Sequence, residues 1–232
     1  MADGLNMSRR IRRTPYTDRV EAAGVRGFSV VNHMLLPKAF QPSVEDDYWH
    51  LRDHVQVWDV SCQRQVEIEG PDAEQLVQWM TPRAIAKAKP GDCLYVPITD
   101  TNGGFINDPV LLKLRDDKFW LSIADSDVLL YAKGLAIGAR LDVAICEPDV
   151  SPLAVQGPKA EDLLVELFGD GIRDVGFFKY VGEWKDGKKH GEGTFTYPNR
   201  TPKEGIWENG KFLYAKKLSP TVTAQYVTPK ND

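Results

Sequence analysis

QVEIEGPDAEQLVQWM, residues 65–80, changes its apolar period in the middle. Val66 and Ile68 alternate with Glu67 and Glu69, as in a strand with one buried face, whereas Leu76, Val77 and Met80 recur at helical spacing. Gly70 interrupts the strand, and Pro71 suits the first residue of a helix, where its missing N–H costs no hydrogen bond. A strand that runs directly into a helix points to a mixed class. Toward the N-terminus the pattern predicts a helix over about Asp18 to Ala23 stopped by Gly24, then an apolar stretch from Gly27 to Leu36 closed by Pro37. A second helix is capped by Ser43, with Glu45, Asp46 and Asp47 at its positive end and Tyr48, Leu51 and Val55 at helical spacing. Toward the C-terminus Gly91 opens an apolar run from Cys93 to Ile98, and Thr99 to Gly104 reads as a hairpin connection. Phe105–Leu114 and Phe119–Ile123 read as strands, followed by a helix from about Asp125 to Ile137 and a strand over Leu141–Glu147. Leu153–Gln156 and GPKAEDLLVELFG add another strand and helix. The order predicts an α+β fold with a ferredoxin-like split βαβ unit and an additional strand.

Composition excludes several classes. With 232 residues, 42% hydrophobic and 10% aromatic, the chain is ordinary globular protein, and its apolar runs fall far short of a membrane span. A formal net charge of -4 gives no general field for holding nucleic acid. Cys62, Cys93 and Cys146 are odd in number and scattered, which predicts neither a disulfide framework nor a structural zinc site and fits a reducing cytoplasm. The opening MADGLNMSRRIRRTPYTDR is basic with no apolar run after it, against a secretion signal. Up to residue 179 the chain carries 20 basic and 27 acidic residues; from Tyr180 it carries 9 and 6. The same junction opens a Gly-, Lys-, Trp- and Tyr-rich segment. Gly182, Trp184, Gly187 and Lys188 return as Gly205, Trp207, Gly210 and Lys211, each 23 positions on, which predicts a repeat array over 180–215 and a flexible tail over 216–232.

For chemistry the strongest local segment is TNGGFINDPV, residues 101–110. Gly103 and Gly104 permit a tight turn and leave room for a flat ligand, and Asp108 could hold or protonate a ring nitrogen. The plainer reading is a hairpin turn with Asp108 bonding nearby backbone. Tyr95 could stack on an aromatic ligand, or simply pack in the core. His50 and His54, at i,i+4, supply two ligands and no closed metal site; Asp46, Asp47 and Asp53 read as a solvated helix face. No histidine lies near Cys62 or Cys93 in sequence to activate a thiol, and no dinucleotide or P-loop glycine motif is present. Arg9, Arg10, Arg12 and Arg13 could meet phosphate or a polyglutamate tail, or be a solvated terminus.

Taken together, SRRIRRTPYTDRV, GVRGFSVVNHMLLP, HVQVWDVSCQRQVEIEGPDAEQLVQWMTPR, GDCLYVPITDTNGGFINDPV, FWLSIADSDVLLYAKGLA and DVSPLAVQGPKAEDLLVELFGD resemble the tetrahydrofolate-dependent aminomethyltransferase family. NHMLLP and IADSDVLLYAKGLA lean to its demethylase branch, whose methyl donor is dimethylsulfoniopropionate. The resemblance covers residues 8–178 and implies a folate-binding domain over 1–179, tetrahydrofolate as methyl acceptor, and methylmercaptopropionate as the demethylated product. It places Asp108 at the folate-side carboxylate, Tyr95 on an aromatic of the folate cavity, Asn107 where many relatives carry an acidic neighbour, and Ser122 in the cavity lining. After GIRDVGFF the family continues with further pterin contacts and a β domain, whereas Tyr180 onward resembles MORN repeats: YVGEWKDGKKHGEGTFTY is one copy and KEGIWENGK a shorter second. The resemblance therefore implies a methyltransferase impaired by the missing segments. The alternatives are a non-catalytic folate-binding or MORN-repeat scaffold, and a fusion without a selected function. Expected partners are a small-molecule methyl donor and no nucleic acid, with a membrane or protein partner at the repeats and a homo-oligomer both open.

Overall fold

The computed structural model of the chain describes residues 10–123, 127–168, 170–180, 184–185, 188–189, 191–195, 203–208 and 211–215. Arg9, the expected helix start at Asp125, the repeat glycines Gly182, Gly187 and Gly210, and the expected tail over 216–232 lie outside the described residues.

The chain opens with α1 (Thr17–Ala22), followed by the antiparallel hairpin of β1 (Phe28–Val31) and β2 (Met34–Pro37). The sequence predicts one apolar stretch here. The chain instead reverses at Asn32 and His33, both at positive φ (50° and 58°), the pair of left-handed residues that a tight two-residue hairpin turn requires. Next comes α2 (Val44–Asp53), where the Ser43 hydroxyl accepts from the Glu45 amide at 3.1 Å; the helix stops before Val55. β3 (Gln56–Asp59), which the sequence reading does not contain, pairs with residues 153–156. Its polar ends and single exposed Val57 mask the strand period.

β4 (Gln65–Glu69) and α3 (Ala73–Met80) form as predicted, although the helix begins two residues after Pro71. Gly70 joins them at φ +142°, and a Cβ there would meet the Asp142 carbonyl oxygen at 2.5 Å, so only glycine lets the strand turn into the helix at this spot. There follow β5 (Cys93–Tyr95), β6 (Ile98–Thr99), β7 (Phe105–Asn107), β8 (Val110–Arg115) and β9 (Lys118–Ser122). Two expected single strands are each divided. Pro109 and, on the facing segment, Pro97 lack an N–H to continue the ladder, which is interrupted there although the Val96 amide still donates to the Pro109 carbonyl at 2.9 Å. α4 (Val128–Ala139), β10 (Ala144–Cys146), β11 (Leu153–Gln156) and α5 (Ala160–Phe168) complete the domain, followed by the 3₁₀ segment Asp170–Asp174.

The main sheet is antiparallel with order β10-β4-β9-β8-β5. Helices α3 and α4 cover one face, and Val66, Ile68, Leu76, Met80, Leu111, Phe119, Leu121 and Ala132 form the buried layer between. Each large apolar side chain removed from water there contributes about 1.5–3 kcal/mol. The arrangement is the α+β fold expected, a split βαβ unit with β5 added at one edge. Residues 178–180 lie along the outer side of that edge: the Cys93 amide donates to the Phe178 carbonyl at 2.9 Å, the Tyr180 amide to Gly91 at 3.2 Å, and the Tyr180 hydroxyl to the Lys113 carbonyl at 3.0 Å. Beyond the junction are β12 (Trp184–Lys185) paired with β13 (Lys188–Lys189), and β14 (Gly191–Phe195), β15 (Lys203–Glu208) and β16 (Lys211–Ala215) in a three-stranded sheet. Trp207, the second tryptophan of the echo, is buried.

Candidate functional site

Where β5 and β8 leave the main sheet, their extensions pair with each other as β6 and β7, making a narrow two-stranded tongue. Tyr95 ends β5 at one side of its base and Asp108 follows β7 at the other. The Tyr95 hydroxyl donates to Asp108 Oδ2 at 3.0 Å. Together with Phe105, Ile106 and Asn107 they line a cleft of about 430 Å³. Asn107 is buried, while Tyr95, Phe105 and Asp108 are exposed, so the cleft is open, with aromatic surface and the carboxylate both at its mouth. The bond to Asp108 is the main cause, with burial second, of a Tyr95 pKa above the usual phenol value; the hydroxyl remains a donor at neutral pH.

The tip of the tongue is held by Asp100, a residue the sequence reading does not single out. Its Oδ1 accepts from the Asn102 and Gly104 amides, each at 2.8 Å, and Gly103 sits at φ +82°. The two glycines thus serve the turn, as the plainer reading has it. An aspartate one position after a strand and ahead of a glycine pair was the available signal for such a turn.

Ser122 lies two strands from Tyr95 on the same transverse row of the sheet, Tyr95–Val110–Ser122–Gln65. Its hydroxyl accepts from the Gln65 side chain at 3.0 Å, and it is not among the residues lining the cleft. Cys93, two rows further on, has its thiol pushed up to about 11, by burial first and then by Asp92, so it stays protonated and is a poor nucleophile. Cys62, Cys93 and Cys146 form no disulfide. The imidazoles of His50 and His54 lie against each other, and His54 Nδ1 is 2.9 Å from Lys159 Nζ; no group of three or more metal-ligating side chains occurs among the described residues.

The basic opening is occupied with ion pairs. Arg12 meets Glu147 at 2.7 Å and Arg13 meets Asp18 at 2.7 Å. Burial tends to raise the Glu147 pKa, but the Arg12 hydrogen bond and the Arg64 charge outweigh it and hold the carboxyl below its usual range. Arg64, another residue not foreseen, is buried and donates to the Val150 carbonyl at 3.0 Å, and Asp59 accepts from Thr14 and from Ser61. These bonds fasten the N-terminal arm beside the strand that carries Gln65.

An antiparallel sheet in this order with two helices on one face has the fold of the aminomethyltransferases. The chain belongs to the GCVT N-terminal domain family, whose model matches residues 16–185; a MORN repeat matches residues 180–201. It is 54% identical over 173 residues to a dimethylsulfoniopropionate demethylase of Ruegeria pomeroyi, covering 75% of this chain and 47% of that protein. It is 30% identical over 149 residues to an aminomethyltransferase of Natranaerobius thermophilus, covering 62% of this chain and 40% of that one. The crystal structure of the glycine cleavage system aminomethyltransferase T from Bartonella henselae superposes with a TM-score of 0.62 at 22% identity, over 68% of this chain and 44% of that chain, a likeness of fold. The chain spans less than half the length of these relatives. No helix among the described residues is long and apolar enough to cross a membrane.

Proposed function

We propose that the chain carries the folate-side half of a methyl-transfer site, with tetrahydrofolate as acceptor and dimethylsulfoniopropionate as donor. The observation that carries this reading is the 54% identity to the dimethylsulfoniopropionate demethylase over a stretch that includes the whole cleft. The residues present fit a folate in kind: a carboxylate to accept N–H bonds, and the rings of Tyr95 and Phe105 to meet a flat heterocycle. When bound, tetrahydrofolate supplies a nucleophilic nitrogen. Asp108 orients that nitrogen and receives the proton it sheds, and the Tyr95 hydroxyl keeps the carboxylate aimed into the cleft. Breaking the S–CH₃ bond leaves its electron pair on sulfur as a neutral thioether, so the leaving group needs no acid; alignment is the main task of the protein. Asn107 and Ser122 are assigned supporting places, Asn107 within the lining and Ser122 through Gln65 on the adjoining row.

In this reading residues 1–179 form the folate domain, 180–215 the MORN repeats and 216–232 a tail. The MORN match favours a second reading, in which the folate domain is retained as a scaffold and the repeats hold a protein or membrane partner. Incubation of the chain with tetrahydrofolate and methyl-¹³C dimethylsulfoniopropionate under anaerobic conditions separates the two. Appearance of the ¹³C-methyl signal on folate is expected, slowed by the missing half of the site; folate binding with no transfer would leave the scaffold reading standing.

A further inference from the structure

We propose a second binding site, unrelated to the folate cleft, in the cavity between α2 and β3, and assign to it a small methylated onium cation that carries no carboxylate. The cavity is about 400 Å³ and is lined chiefly by Phe40, Asp46, Asp47, His50, Gln56 and Trp58. Its chemistry is aromatic and acidic, and neither lysine nor arginine is in the lining.

The walls are fixed by hydrogen bonds that also decide what they can offer. The Gln56 side-chain amide donates to the Asp47 carbonyl at 2.8 Å, and Gln56 Oε1 accepts the Trp58 indole N–H at 3.0 Å. The sole donor of the indole is therefore engaged, and Trp58 offers a ligand its ring and no N–H. Asp47 Oδ2 lies 3.4 Å from the Phe40 and Gln41 amides, which draws the loop carrying Phe40 over the start of α2. Asp46 has no hydrogen bond or ion pair among the described residues, so its carboxylate is available to a ligand.

Aromatic rings beside carboxylates attract a large, weakly hydrated cation through the ring quadrupole and charge together. A hard divalent ion is a poor match, because it requires more oxygen ligands than two carboxylates supply. A zwitterionic methyl donor is disfavoured by the same two carboxylates, which separates this cavity from the cleft at Tyr95 and Asp108. The argument rests on the lining of this cavity and stands without the methyl-transfer reading.

Tetramethylammonium chloride titrated into the full chain tests it, followed by calorimetry and by the indole N–H resonances, with sodium chloride at equal ionic strength as control. Saturable binding that moves the Trp58 indole signal is expected. Asp46→Asn and Phe40→Leu should each weaken it about fivefold or more, while Asp46→Glu restores affinity and Asp108→Asn leaves it unchanged. Absence of saturation up to about 50 mM, an equal response to sodium, or weakening by Asp108→Asn and not by Asp46→Asn would overturn the proposal. Asp46 is exposed and outside the core, so its variants retain the fold and the comparison holds.

Discussion

Asp108 and Tyr95 depend on each other in opposite senses. The carboxylate gains from the phenol a donor that fixes its direction, and the phenol gains from the carboxylate a reason to hold its proton. Because the folded Tyr95 pKa is raised, the bond is fully present below the ordinary phenol range near pH 10 and is lost only as pH rises through the higher folded value. Ultraviolet titration should show one tyrosine ionising late, and Asp108→Asn should return it to the ordinary range. On the proposed function, Asp108→Asn weakens tetrahydrofolate affinity by about 1.5–3 kcal/mol, since a carboxylate acceptor is lost; Tyr95→Phe weakens it less. Both are read by calorimetry on variants whose far-ultraviolet spectra are unchanged. Tyr95 and Asp108 were legible as a pair only through the family resemblance, for they are 13 positions apart and spacing alone left each with a structural reading. Asp100 was within reach of turn chemistry. Arg64 was not, because nothing local marks a guanidinium that is buried against the carbonyls of residues more than eighty positions away.

Elements whose period is imposed by a single buried face were the legible ones. β4 and α3 follow from apolar spacing, because each has one face toward a neighbour and one toward water. Leu76 lies at the centre of that logic, fully buried between α3 and the sheet, and Leu76→Ala should cost about 2–5 kcal/mol in denaturant unfolding. Gly70→Ala, which removes no contact, should cost about 1–3 kcal/mol in the same measurement because the backbone at φ +142° must move away from the Asp142 carbonyl. The elements that escaped were defined by something other than period. The β1–β2 turn uses Asn and His where glycine is the usual sign, and the division of Phe105–Leu114 follows from one proline in an apolar run. That second break falls where the tongue leaves the sheet, beside the Asp108 that meets Tyr95.

At the scale of the molecule, the change in composition at Tyr180 coincides with a physical seam along the outer edge of β5. Lys179 bonds to Asp92, and this bond, with the Lys89 amide second, holds the Asp92 carboxyl below its ordinary range. A depressed carboxyl pKa stabilises the folded arrangement above the ordinary value near pH 4 and ceases to do so as pH falls through the lower folded value. Hydrogen-exchange protection at the Cys93 and Tyr180 amides, corrected for intrinsic rates, should therefore decline at acid pH, and Asp92→Asn should lower it at neutral pH and remove the pH dependence. The sequence made the seam visible as a charge and repeat boundary; its pairing with residues 91–93 is a long-range contact that no local pattern encodes. The candidate cleft lies at the other end of the same edge strand, where the tongue leaves the sheet. Anaerobic calorimetric titration of the folded chain with tetrahydrofolate, run beside Asp108→Asn, tests its assignment, the central claim, most directly. Saturable one-site binding that the variant weakens at least tenfold is the predicted result; no binding, or equal binding by both proteins, would contradict the assignment of the cleft.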